Sequence, residues 1–207
     1  MKLGWANRVT IVRMALIVPF VYCLAIAGGG GNTKMRHIAT AIFLLMCISD
    51  MVDGHLARLH DDITKLGEFL DPLADKLLML FACILLAMPS TAVAGFRLPP
   101  IVAMVIIGKD VAILWNVVRC YRSLKIVHVD TIMLGKIAAV FQLAMIGFIL
   151  IGPEVSRSLN WWEDFVRVLY WVVSVLAVTA AYVNIHRGTL YARARLRERQ
   201  EAAISES

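Results

Sequence analysis

Cysteine is scarce. The four in 207 residues, Cys23, Cys47, Cys83 and Cys120, are scattered through apolar stretches without the close spacing of a metal site. They read as reduced, buried packing residues. His55, His60 and His128 likewise show no ligand spacing and read as surface or interface residues. No alternating apolar and polar run competes for a β-strand, and neither an internal repeat nor a second domain is visible. The glycine run at 28–31 is not followed by Lys-Ser or Lys-Thr, so it is a flexible turn and not a phosphate loop. What remains is hydrocarbon. Sixty per cent of the residues are hydrophobic and the mean hydropathy is +0.75, far too apolar for a soluble domain of this length. The chain is expected to be an all-α, polytopic integral membrane protein.

Six apolar segments can be marked, at about 7–27, 36–59, 64–88, 99–118, 131–151 and 165–185. Thr64 is a plausible N-cap for the third, and Pro19 should kink the first. The opening Lys2, Arg8 and Arg13 before an apolar run could pass for a secretory signal, but an uncleaved first helix gives a self-consistent even topology. Trp161, Trp162, Tyr170 and Trp171 look like an interfacial belt. The net charge of +6 comes from basic residues concentrated in certain loops and the tail, so it speaks to topology and lipid headgroups rather than to nucleic acid. By the positive-inside rule six transmembrane helices place both termini in the cytoplasm. The expected organisation is a six-helix transmembrane catalytic domain over 1–190 and a basic, polar tail over 191–207, which reads as a solvated helical extension. The expected location is a bacterial-type inner (cell) membrane rather than a mitochondrial one.

Against this background the stretch from Ser49 to Lys76 places four carboxylates inside apparent membrane. Asp50 and Asp53 are three residues apart and Asp71 and Asp75 are four apart, so each pair lies on one helix face. The pairs are nested about Asp61 and Asp62, and a helix hairpin turning there brings all four to one level. At about 1.5 Å per residue that level is roughly 13 to 19 Å below the turn, within or near the hydrocarbon. Four unneutralised carboxylates there would repel one another and lose much hydration energy. Divalent cations are the simplest remedy. The turn is expected on the cytoplasmic side, so the site opens toward cytosolic substrates. Between the pairs, Gly54, Ala57 and Gly67 permit close approach of a ligand or of a neighbouring helix, and Arg58 offers a planar fork to a diphosphate.

Asp50, Asp53-Gly54, Ala57-Arg58, Gly67, Asp71 and Asp75 at these spacings resemble in full the motif of the CDP-alcohol phosphotransferase family, and six transmembrane helices with the motif across the second and third agree with it in outline. The resemblance implies transfer of a substituted phosphate from a CDP-linked donor to an alcohol, with release of CMP. It implies that Asp50, Asp53 and Asp71 hold two divalent cations, magnesium or manganese, that Asp75 is the general base and can touch one metal, and that Gly54, Ala57, Arg58 and Gly67 serve the cytidine diphosphate. Such chemistry suits hard oxygen ligands.

Three further stretches bear on the substrates. Asn7-Arg8-Val9-Thr10 with Arg13 and Pro19 resembles the Pro-Asn-x-Leu-Thr-x-x-Arg opening of the bacterial branch that uses CDP-diacylglycerol, with Ala6 and Val9 in place of proline and leucine. Gly108-Lys109-Asp110 is similar to the Gly-Arg-Asp of phosphatidylglycerophosphate and cardiolipin synthases. Leu134-Gly135-Lys136, followed by Gln142, is similar to the Gly-Lys-x-Lys-Thr-x-x-Gln element of phosphatidylglycerophosphate synthases, without its second lysine and its threonine. Lys109, Arg119, Arg122 and Lys136 could form a basic pocket for an acceptor phosphate, with glycerol 3-phosphate the favoured acceptor. Bland roles compete: Arg119 and Arg122 as flanks of a helix end, Lys136 as a snorkelling residue, Lys109 as a partner of Asp110. The outline is closest to bacterial phosphatidylglycerophosphate synthase, followed by a cardiolipin synthase acting on phosphatidylglycerol and a phosphatidylinositol-phosphate synthase. A divalent-cation transporter is the alternative of a different class. Family members are often homodimers, which the apolar faces would allow.

Overall fold

The computed structural model describes residues 5–28, 32–60, 65–124 and 133–205, with side-chain surroundings at 10–28, 32–50, 73–116, 118 and 133–190. Among the described residues seven helices follow in order: α1 (Trp5–Ala27), α2 (Thr33–His60), α3 (Lys65–Ala87), α4 (Pro100–Leu124), α5 (Met133–Leu150), the short α6 (Gly152–Val155) and α7 (Trp162–Ser205). Among the described residues there is no strand. Three stretches of the described residues are long and apolar enough to cross a membrane: Thr10–Ala27, Met133–Leu150 and Trp162–Leu190, with mean hydropathies of 2.1, 2.0 and 1.9. Helices α2, α3 and α4 have 28, 23 and 25 residues, each about 35 Å or more at 1.5 Å per residue, enough to match a hydrocarbon core. The expected N-cap Thr64 lies outside the described residues. Pro19 lies inside α1 without ending it.

Helix α1 packs against α2 and α3, α7 packs against α4 and α5, and contacts of α3 with α4 and of α2 with α5 join the two groups. The spacing along α7 shows why. Val166, Tyr170, Val173, Ala177 and Ala180 are buried, whereas Val168, Trp171, Val175, Val178 and Tyr182 are exposed. Both sets recur every three or four residues, so one stripe faces the bundle and the other faces outward. In water that outer stripe would be a liability, and in hydrocarbon it costs nothing. Phe20, Leu24, Phe43, Met46, Leu86, Ile106, Met145 and Ile149 form a continuous core across five helices.

Two features tie down the end of the bundle opposite the α2–α3 turn. Arg36, buried near the start of α2, donates to the Leu150 carbonyl (2.8 Å) and to both oxygens of Glu154, which His37 also contacts at 2.7 Å. The Arg36 hydrogen bonds lower the Glu154 carboxyl from its ordinary 4.5 to about 2. The loop between α3 and α4 folds back, with Leu98 N–H donating to the Leu86 carbonyl (3.0 Å) and Thr91 Oγ1 to that of Leu85 (2.6 Å). It also abuts Gly28, where a Cβ would run into the Ser90 carbonyl oxygen and Thr91 Cα. Gly28, expected as part of a flexible turn, is thus a site of close approach. The expected aromatic belt divides. Trp161 and Trp171 are exposed, but Trp162 packs on Phe148 (centroids 5.3 Å apart) and Tyr170 donates from its hydroxyl to the Phe96 carbonyl at 3.3 Å. The inward pair falls on the buried stripe of α7, and helical rotation decides which ring meets lipid.

Candidate functional site: a carboxylate pair on a polar cavity

Helix α2 ends at His60 and α3 begins at Lys65, and the expected turn at Asp61 and Asp62 lies between them, outside the described residues. Asp50 on α2 and Asp75 on α3 converge on one nitrogen. Arg13 Nη1 on α1 lies 2.5 Å from Asp50 Oδ1 and 3.8 Å from Asp75 Oδ1. The two carboxylate oxygens are therefore within the sum of those distances of each other, as two antiparallel helices at one level demand. The Arg13 side chain is only 4% exposed, while those of Asp50 and Asp75 are 45% and 56% exposed. A buried guanidinium thus backs the two acids, and their open sides face away from it. A lone arginine in the interior of an apolar helix requires such partners. It also supplies part of the neutralisation that the acids need.

Asp53, Gly54, Ala57 and Arg58 lie in α2 and Gly67 and Asp71 in α3, and the side chains of all six are outside the described residues. Among the described residues no group of three or more metal-ligating side chains occurs. Among the described residues, Asp50 and Asp75 bring hard, negatively charged oxygens toward one another, a type of donor that fits magnesium or manganese.

Asp75 opens onto a cavity of about 270 Å³ lined also by Lys109, Asp110, Gly135, Gln142 and Asn184. These come from α3, α4, α5 and α7. Lys109 Nζ bonds Asp110 Oδ1 at 2.9 Å, with both side chains largely shielded. Lys109 is therefore at the cavity as a member of an ion pair, the pairing with Asp110 that the sequence allowed. Lys136, next to Gly135, is exposed and is not among the lining residues. Arg119 and Arg122 lie on α4 beyond the described side chains. A second cavity of about 200 Å³, between α3 and α4, shares Lys76, Met79 and Asp110 with the first and is otherwise lined by leucine, isoleucine and valine. A cavity bearing charged and amide groups and one lined otherwise by aliphatic side chains meet at the same three residues, an arrangement suited to an amphiphile.

Arg13 as the bridge between the acids and the amide of Asn184 were not part of the sequence-based site, whereas the Lys109–Asp110 pair was weighed there and Gln142 was marked in the stretch that follows Lys136. Arg13 had a signal, a cation within an apolar run. Asn184 had none, because its contribution depends on where α7 docks.

The match to known proteins agrees with this geometry. The family model for CDP-alcohol phosphatidyltransferase matches residues 3–183. A Bacillus subtilis protein named CDP-diacylglycerol--glycerol-3-phosphate 3-phosphatidyltransferase is 31% identical over 184 residues, covering 85% of this chain and 90% of its own. A Rickettsia felis protein of the same name is 24% identical over 177 residues, covering 85% and 90%. A Mycobacterium tuberculosis protein named "Probable phosphatidylglycerophosphate synthase" is 42% identical over 83 residues, and that match spans only 40% of this chain and 39% of the relative. With the family model running through nearly all of the helical bundle, the chain belongs to the CDP-alcohol phosphatidyltransferase family.

Proposed function

We propose that the chain transfers a phosphatidyl group from CDP-diacylglycerol to a small alcohol, glycerol 3-phosphate first among candidates, releasing CMP and forming phosphatidylglycerophosphate. The observation that carries the reading is the convergence of Asp50 and Asp75 beside Arg13, with Asp75 also at the wall of a cavity that bears charged and amide side chains, in a chain of this family. The acceptor follows from the names of the relatives that match most of their own length.

In this reaction the acceptor oxygen bonds to the phosphorus of the phosphatidyl group and the bond from that phosphorus to the CMP oxygen breaks. Asp75, ionised and open to the cavity, takes the proton of the attacking hydroxyl. Arg58, Gly54, Ala57 and Gly67 hold the cytidine diphosphate, the glycines and alanine by allowing it close to the helix backbones. Asp50, Asp53, Asp71 and Asp75 would hold two divalent cations, magnesium or manganese, which supply charge neutralisation for the diphosphate and the leaving CMP. Arg13 keeps Asp50 and Asp75 at their spacing. Lys109, Arg119, Arg122 and Lys136 attract the phosphate of the acceptor. The apolar cavity continuing from the polar one supports a lipid substrate. Six spans, cytoplasmic termini and a site open to the cytoplasm of a bacterial-type inner membrane complete the reading, and a second copy of the chain would cover part of the outward apolar surface.

The test is a panel of acceptors given to the purified protein in detergent with CDP-diacylglycerol and magnesium, reading CMP release and product lipid mass. Glycerol 3-phosphate should give phosphatidylglycerophosphate. Turnover only with phosphatidylglycerol or inositol phosphate would reassign the acceptor. No CMP with any acceptor, together with divalent-ion flux in liposomes, would replace the enzyme by a transporter.

A further inference from the structure

The interior of the bundle holds an amide whose donor has nothing to bond. Gln142 on α5 is 1% exposed, and its Nε2 is buried without a hydrogen-bond partner among the described residues. A buried amide donor left unmade destabilises the fold, so the position calls for a ligand atom or a water. Gln142 is not sealed in hydrocarbon. It lines the cavity that Asp75 also lines.

The other polar groups of that cavity limit what the ligand atom can be. Asp75 and Asp110 are carboxylates, Lys76 and Lys109 are ammonium groups with Lys109 bonded to Asp110, and the remaining side-chain amide is that of Asn184, half-buried on α7. In such a cavity the phosphate of the acceptor falls to the ammonium groups and is not recruited by an uncharged amide. It suits a neutral oxygen that can both accept and donate, which is a hydroxyl. Turning the amide over exchanges its donor for its acceptor and still leaves a hydroxyl as the fitting partner.

We infer that Gln142 determines acceptor specificity by hydrogen-bonding the hydroxyl adjacent to the one that attacks, so that the site is built for a 1,2-diol. The inference rests on the phosphatidyltransferase reading above and deepens it. One hydroxyl of the diol presents its proton to Asp75, and its neighbour fills the vacant hydrogen bond of Gln142. An acceptor without the second hydroxyl leaves the buried amide unmatched, and this mismatch is what discriminates.

The experiment compares glycerol 3-phosphate with 3-hydroxypropyl phosphate, the same skeleton without the middle hydroxyl, in the full-length protein in detergent with CDP-diacylglycerol and magnesium. The wild type should favour glycerol 3-phosphate in kcat/KM by about 10- to 100-fold, the range expected of one buried hydrogen bond to a neutral group. In Gln142→Met the preference should collapse to within about threefold, through loss with glycerol 3-phosphate and little change with the analogue, while the KM for CDP-diacylglycerol stays within about twofold. A merely structural role would lower both acceptors together and leave their ratio intact. An unchanged ratio in the variant overturns the inference, as does a wild type that uses both acceptors equally. Should Gln142→Met fail to fold, Gln142→Leu carries the same ratio. A wild type that releases CMP with neither compound but turns over another alcohol shows that the acceptor assignment has failed, and the diol inference with it.

Discussion

Arg13 offers the sharpest test of the carboxylate site. In Arg13→Met the guanidinium that lies 2.5 Å from Asp50 and 3.8 Å from Asp75 is replaced by an apolar side chain of similar length, and two acids are left facing each other. Removing one partner of a fully buried ion pair costs about 3–5 kcal/mol. Here only the cation is buried, and the acids are about half exposed, so water takes up part of the loss. A destabilisation of about 2 kcal/mol follows, which for a chain of this size lowers the melting temperature by roughly 4–8 °C. The assay is thermal unfolding in detergent after chelation, then with added magnesium. Because the uncompensated acids gain more from a bound cation, the magnesium-induced rise in melting temperature should be larger in the variant than in the wild type. Arg13→Lys should fall between the two, since the charge is kept but a compact ammonium on a shorter, flexible stem is held less firmly between the acids. An Arg13→Met protein that melts within about 1 °C of wild type, with the same magnesium response, would refute the reasoning.

Three other outcomes are expected. Asp75→Asn should lower CMP release by about 10²- to 10⁴-fold with CDP-lipid binding retained, and normal turnover would remove Asp75 as the base. Glu154→Gln should lower the melting temperature at neutral pH. The Glu154 carboxyl is held at about 2 against an ordinary 4.5, chiefly by hydrogen bonds from Arg36, so its contribution is complete above about 4.5 and lost as pH falls toward 2. The gap between Glu154→Gln and wild type should therefore narrow on acidification from pH 7 to 3, and a constant gap in a melting series would contradict it. Gly28→Ala should destabilise by about 1–3 kcal/mol, because the new methyl meets the backbone of Ser90 and Thr91 rather than a movable side chain. An unchanged melting temperature would mean that this loop yields freely.

Much of the bundle could be read directly from the chain. Hydropathy marks the long helices to within a few residues at most ends, because a helix that packs into a bundle through an apolar face needs a sustained apolar pattern. The last helix is the exception: it continues to Ser205, well past the apolar stretch, since helical hydrogen bonding does not require an apolar surface. The meeting of Asp50 and Asp75 was equally legible, for it depends only on helix rise and on one turn between adjacent segments.

What the amino-acid order determined by itself is therefore local: helix periodicity, the acidic hairpin and the spacing that marks the family. The tertiary structure alone decided which distant groups complete it. Arg36 meets Glu154 across 118 residues, Arg13 reaches both acids from another helix, and Gln142 and Asn184 enter the cavity from α5 and α7. The reason is rotational. Periodicity states which residues share a face of one helix, but which face meets which neighbour is settled only when the side chains of all the helices pack together.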